Sequence, residues 1–323
     1  MKIFITGATG LLGKYTTKIL LQQGHQLTAS ARPQSKIYQH DPQNEINWVE
    51  ADLLDINTLV EKLSGHDLVI HCAAMVSFDK REKEQIFQTN VEGTANLINA
   101  ALLASVEKFI HVSSIAAVGR NTSGEPVNES NKWQESSLNT VYAESKYLAE
   151  LEAWRGSEEG LKVNIINPSV ILGIGELEKS SSQLFDYVKQ EQKFYPAGTI
   201  SYVDVRDVAE AISRLTSADT WGQRYIISAG ETTYKDFFAR IANHLGKKAP
   251  SIPVSNMMIS MALLIFRIKS LLTGKPSLVT KETAMLSQLN VYFDNSKSKS
   301  ALGLKYRDLN ESLQWICEEI KER

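Results

Sequence analysis

The chain opens MKIFITGATGLLGKY, residues 1–15, and three glycines, Gly7, Gly10 and Gly13, recur at three-residue spacing just past an apolar run. Residues 2–6 read as a short strand, and residues 11–23 as a helix stopped by Gly24. A tight strand-to-helix turn brings backbone close to a ligand, and glycine permits both the backbone angles and the approach. The helix that follows presents unpaired N–H groups and its positive dipole end to the turn, which makes an anion site suited to a pyrophosphate. Gly13 lies inside the helix, where a missing side chain lets helix and strand pack closely. The spacing is G-x-x-G-x-x-G, one residue longer than G-x-G-x-x-G. The place of the turn in the chain therefore carries the reading.

That place is the head of a regular alternation. HQLTASA (25–31) reads as a strand, INWVEA (46–51) as another and INTLVEKLSG (56–65) as a helix with a glycine stop. DLVIHCAA (67–74) is a strand, and the stretch 82–104 reads as one long helix. KFIHVSS (108–114) is a strand, 139–156 a helix, and KVNIINPSVI (162–171) a strand. Strand and helix in turn predict an α/β fold, a Rossmann-type doubly wound parallel sheet with helices on both faces. The alternation falters after Ile171, and from Gly230 the text is mostly helical. The expected organisation is a dinucleotide-binding domain over 1–171, to which 205–228 returns. Residues 172–204 and 229–323 then form a smaller, mostly helical C-terminal substrate lobe.

The bulk composition removes several function classes. The 323 residues are 43% hydrophobic and 22% charged with net charge -2, typical of a globular protein and without the basic bias of a nucleic-acid binder. Two cysteines, Cys72 and Cys317, make neither a disulfide framework nor a metal-ligand cluster, and no metal is expected. They read as reduced thiols of a cytoplasmic protein. No stretch reaches the ~18 apolar residues of a spanning helix. The segment 257–272, MMISMALLIFRIKSLL, is too short and carries Arg267 and Lys269. It reads as a lobe helix over the substrate pocket, or as an amphipathic surface in peripheral contact with a membrane or a lipid-like substrate.

The end of the second strand speaks to the cofactor. A carboxylate roughly 20 residues past the glycines would grip a ribose 2′-hydroxyl, as in NAD sites, whereas an arginine suits a 2′-phosphate. The chain reads Ala31-Arg32 there, with Lys36 nearby and no acid. NADP(H) is thus preferred and NAD(H) remains open, with an ordinary exposed loop arginine as the plainer reading of Arg32.

Tyr142 and Lys146 lie four apart in YAESK, on one face of the expected helix. A phenol with an ordinary pKa of ~10 exchanges protons poorly at neutral pH. A lysine one turn away, beside a positively charged nicotinamide, would lower it and make Tyr142 a general acid or base. Ser113 and Ser114 end a strand at the carboxyl edge of the sheet, where open α/β sheets bind ligands. A serine there can hold a substrate carbonyl against the tyrosine.

With these motifs in place the chain resembles the extended short-chain dehydrogenase/reductases of the NAD-dependent epimerase/dehydratase superfamily. The matching segments are TGATGLLG (6–13), ADL (51–53), HCAA (71–74), TNVEGT (89–94), HVSS (111–114), YAESK (142–146) and YVDVRDVA (202–209). They span essentially the whole chain. The resemblance implies that Gly7, Gly10 and Gly13 hold the pyrophosphate, that Thr9, Leu11 and Leu12 also bind the cofactor, and that Asp52 and Leu53 flank the adenine. It implies that Ala73 and Ala74 line the cofactor path and that Asn90 supports the active-site end. Ser114, five residues before Gly119, matches the catalytic serine, Tyr142 the proton donor or acceptor, and Lys146 the residue that tunes Tyr142 and holds the nicotinamide ribose. Asn167-Pro168 stand where many relatives carry Arg-Pro beside the cofactor, which weakens a sugar-nucleotide reading.

The ending TASAR resembles the dihydroflavonol-4-reductase-like branch, whose members reduce carbonyls with NADPH. The expected function is therefore NADPH-dependent reduction of a ketone or aldehyde of a small, apolar substrate. The alternatives are an NAD-dependent sugar-nucleotide epimerase or dehydratase, and a non-catalytic dinucleotide-binding sensor. The family offers both monomers and homodimers.

Overall fold

The structure, a computed structural model, describes residues 1–32, 45–121, 124–136, 138–175, 181–255, 257–259 and 281–322. Lys36 and nearly all of 257–272 lie outside these residues. Strand β1 (Lys2–Thr6) sets the plan. Ile3 and Ile5 are buried among residues of one core and Phe4 in another, the period-two alternation of a strand covered on both faces. Helix α1 (Leu11–Gln22) leads to β2 (Gln26–Ala31), and β3 (Asn47–Glu50) is followed by α2 (Ile56–Leu63) and β4 (Leu68–His71). Then come α3 (Lys83–Phe87), α4 (Gly93–Leu103), β5 (Lys108–Val112), α5 (Ile115–Val118), α6 (Val141–Glu158) and β6 (Lys162–Pro168).

These strands form a seven-stranded sheet in the order β10-β6-β5-β4-β1-β2-β3, where β10 is Gln223–Ile227. Every pair in it is parallel. The strand order reverses between β1 and β4, and at such a switch point open sheets form a crevice. Helix α1 packs with α8 (Val205–Thr216) over Ile3, Ile5, Ile110 and Ile166, while α4 and α6 cover Phe4, Phe109, Val163 and Ile165.

Two elements depart from the sequence reading. The stretch 82–104 is helical from Lys83 to Leu103 but not α-helical throughout. A π-helical turn, Gln88–Glu92, separates α3 from α4 and carries Asn90, and such wide turns often mark functional positions. The run 162–171 is not one strand either. It breaks at Ser169, whose N–H donates to Ile227 O, and β7 (Val170–Leu172) passes into a second sheet of order β11-β9-β7. There β9 (Thr199–Asp204) is the central strand and β11 (Gly230–Thr233) pairs antiparallel to it. Leu172, Phe237, Ile241, Leu313 and Ile316 make a separate core for this region, in which the helix Leu309–Glu322 packs on α9 (Tyr234–Leu245).

The two regions are tied by charge and by rings. Asp204 caps α8 by accepting from Arg206 N–H at 2.8 Å, and Ser312 Oγ donates to Asp204 at 2.7 Å. The Arg206 guanidinium lies 4.0 Å from the ring centre of Trp315, which meets Tyr15 edge-on. Asp207, in the first turn of α8, pairs with Arg307.

Candidate active site

The glycine turn sits at the carboxyl end of β1, beside β4. Gly7 has φ +72°, and a Cβ there would stand 2.6 Å from Ala73 N, so the strand ends approach to a distance only glycine allows. A Cβ on Gly13 would stand 2.6 Å from Ala8 Cα, which locks α1 hard against the turn. Gly10 N–H closes the turn on Gly7 O at 3.0 Å. Helix α1 starts at Leu11 with no side-chain cap and no acid in its first turn. Its free N–H groups and dipole end therefore suit an anion, and a dinucleotide pyrophosphate fits this cradle. Thr9 and Leu11 are half-buried here and Leu12 is buried. Arg32 is exposed directly after β2. Asp52 follows β3 and accepts from Leu54 N–H at 2.9 Å, while Leu53 packs against the second core. Ala73 and Ala74 leave β4 at the rim of the same crevice.

The candidate proton-transfer residues Ser114, Tyr142 and Lys146 lie one strand further on. Thr140 caps α6 by accepting from Ala143 N–H at 3.0 Å, which fixes the helix start two residues before Tyr142. Ser114 follows β5 and caps the short α5 by accepting from Ala116 N–H at 3.1 Å. Its side chain also faces the Tyr142 phenol and lowers its pKa. Ser113 Oγ is buried and finds no partner, so it is Ser114 that meets the tyrosine. Phe78 stands edge-on to the Tyr142 ring at 5.9 Å. Lys146 is 2% exposed and donates from Nζ to Val112 O at 2.8 Å.

Burial pushes the Tyr142 phenol above its ordinary value, and the neighbouring Ser114 hydroxyl pulls it partly back. The lowering expected from Lys146 is not among the causes, because the lysine turns to Val112 O instead. Burial draws Lys146 down to about 8, against the pull of Glu150. His71 falls to about 3 and His111 well below its usual value, both through burial first and then Lys146. Both imidazoles are neutral at physiological pH. Burial lifts the Cys72 thiol to about 12, so it is no nucleophile. Among the described residues no group of three acids, histidines or cysteines is placed to hold a metal, and no helix is long and apolar enough to cross a membrane.

A chain of polar side chains supports this arrangement, joining Asn90, which the sequence reading named, to Thr6, His71, Thr94 and Ser145, which it did not. Thr94 Oγ1 donates to Asn90 O at 2.5 Å, so it accepts from His71 Nε2 at 3.0 Å. His71 Nδ1 then accepts from Thr6 Oγ1 at 2.7 Å. Asn90 holds the exit of β4 through Met75 N–H (2.7 Å) and Met75 O (2.9 Å), and donates to Ser145 Oγ at 3.0 Å. Its buried side chain thus straps the loop after Ala74 to α6. Asn167 is fully buried and donates to Ser114 O at 2.9 Å, while Pro168 closes β6. The only sequence signal for these roles is position. Each follows a strand end or faces α6.

Comparison with known proteins agrees with this geometry. The profile of the NAD dependent epimerase/dehydratase family matches residues 3–228. A Synechocystis sp. protein named for dihydroflavonol 4-reductase is 30% identical, over 96% of this chain and 92% of its own. The NADPH-dependent methylglyoxal reductase GRE2 of Saccharomyces cerevisiae is 26% identical, over 99% of this chain and 98% of its own. The crystal structure of gox2253, 29% identical, superposes with a TM-score of 0.85 over 99% of this chain and 98% of that one. The chain belongs to the NAD dependent epimerase/dehydratase family of extended short-chain dehydrogenase/reductases, and it is an NAD(P)-dependent oxidoreductase of that type.

Proposed function

We propose that the protein is an NADPH-dependent reductase of small, apolar ketones or aldehydes, with Ser114, Tyr142 and Lys146 as its catalytic set. The observation that carries this reading is the side chain of Ser114 facing the buried Tyr142 phenol, whose pKa it lowers, one helical turn from a buried lysine. Arg32, exposed just past β2 with no acid beside it in the sequence, favours the 2′-phosphate. The yeast relative is named as NADPH-dependent. Phe78 against Tyr142 and the exposed Val76 offer an apolar lip to the substrate. The described residues of 172–204 and 229–322, with the second sheet and its own core, form the lobe that shapes that pocket.

A bound reduced dinucleotide supplies the hydride to the carbonyl carbon. The residues do the rest. The glycine turn holds the pyrophosphate, and Lys146 holds the ribose next to the nicotinamide. A carbonyl oxygen seated between Ser114 and Tyr142 accepts a hydrogen bond from each, which stabilises the charge that develops on it. The raised pKa keeps Tyr142 protonated at neutral pH and hence a donor, and its proton passes to the oxygen. The phenolate regains a proton from solvent.

The test is NADPH oxidation with a panel of apolar aldehydes and ketones, beside NADH and nucleotide sugars. Turnover confined to NADPH and carbonyls is expected. Tightly retained NAD with turnover of a nucleotide sugar would overturn the reading.

A further inference from the structure

Helix α6 carries a third functional side chain that neither the motif nor the proposed reaction uses. Tyr142, Lys146 and Glu150 follow one another at four-residue steps, so they share one face of the helix. Glu150 is 2% exposed. A buried carboxylate is costly unless it is paired and hydrogen-bonded. Here Oε1 accepts from Arg224 Nη1 at 2.9 Å and Oε2 from Asn167 Nδ2 at 2.8 Å. Arg224 stands on β10 and Asn167 on β6, neighbouring parallel strands. Arg224 Nη2 donates onward to Asn131 O at 3.1 Å and to Glu129 O, which fixes the loop before α6.

The other end of this chain reaches the reacting groups. Asn167 Nδ2 also donates to Ser114 O at 2.9 Å. Its Oδ1 is buried without a partner, so the amide is held through its donors alone. Two residues earlier, Lys146 holds Val112 O. The strand end that presents Ser114 is therefore gripped twice, by side chains that depend on α6. A hydrophobic pair of similar volume in place of Arg224 and Glu150 would serve folding as well or better. Folding alone thus gives little reason to seat this carboxylate one turn from Lys146.

We propose that Glu150, oriented by Arg224 and linked through Asn167 to Ser114, is a positioning residue of the proton-transfer site. It sets the Ser114 turn against Tyr142 and balances the charge of Lys146. The inference rests on the proposed carbonyl reduction. The groups that face Lys146 are Tyr142 and Glu150 from α6, His71 and Cys72 from the end of β4, and His111 from β5. The two histidines are neutral and the thiol is protonated, so Glu150 is the anion of the set. It favours the ammonium over the free amine.

The test is Glu150→Gln, which keeps shape and removes charge. Two readouts are followed against pH: NADPH affinity, which needs no turnover, and kcat with a carbonyl substrate. The alkaline limb of both profiles is expected to move down by about one pH unit, and kcat to fall about tenfold with KM within about twofold. Asn167→Ala, which leaves the charge, is expected to lower kcat with the limb in place. A folded Glu150→Gln protein with unmoved limbs and unchanged kcat would overturn the proposal. Should that variant fail to fold, Glu150→Gln/Arg224→Met removes both charges together. A folded double variant with the shifted limb supports positioning, whereas one that also fails to fold makes the chain a structural element and refutes it. Wild-type protein that binds NADPH but reduces no carbonyl would refute the proposed reaction, and the binding limb would still report on Glu150.

Discussion

Lys146 donates to the carbonyl oxygen of Val112 at 2.8 Å, so its ammonium is anchored on the last residue of β5 and not on the tyrosine one turn before it. The lysine is the buried cation of the site, drawn down to about 8 from 10.5 by burial. Above about 8 the folded protein releases this proton while the unfolded chain keeps it. Where the unfolded state binds more protons, stability rises with pH. The contribution of Lys146 to stability therefore grows between about 8 and 10.5 and is unfavourable below. Melting curves of wild type and Lys146→Met at pH 7 to 10 check the sign. The difference between them is expected to shift in favour of wild type as pH rises, and parallel curves would count against a depressed Lys146.

The cofactor cradle depends on a missing methyl group. A Cβ on Gly13 meets the backbone of Ala8 at 2.6 Å, where no flexible side chain can give way. Gly13→Ala must push α1 off the turn. We expect a loss of about 1–3 kcal/mol in stability, the usual cost of overpacking, together with a fall in NADPH affinity of tenfold or more. Thermal melting and a fluorescence titration on one preparation read both.

Much of this arrangement is legible in the sequence because it follows from local rules. The alternation of apolar runs gives the parallel sheet, and Gly7 and Gly13 mark the turn before any coordinates are seen. The rest depends on long-range partners. Nothing local says that the helix through Asn90 widens into a π turn, or that its side chain binds Met75 and Ser145. The run NIINPSVIL hides the break at Ser169, which arises because β7 finds its partner in β9, some thirty residues on. Asn167 stands beside a proline in a cofactor motif, yet its side chain turns inward to Ser114 and Glu150. A buried ion pair between residues 150 and 224 is beyond any pattern of spacing.

Arg32 gives the coenzyme preference a direct handle. It is exposed, and the sequence offers no acid from 26 to 36. Hydrogen bonds to charged groups contribute about 1.5–3 kcal/mol. Arg32→Asp is expected to weaken NADPH roughly ten- to a hundredfold and to leave NADH equal or tighter. Equal loss for both coenzymes would remove Arg32 from the 2′-phosphate site.

The central claim is that Tyr142, beside Ser114, delivers the proton to the substrate oxygen. The most direct measurement is kcat for carbonyl reduction by Tyr142→Phe, set against the NADPH dissociation constant of the same preparation. The account predicts a fall in kcat of roughly 10²–10⁴-fold, the range for a general acid, with NADPH affinity within about twofold of wild type. A variant that keeps kcat within about threefold of wild type would contradict it.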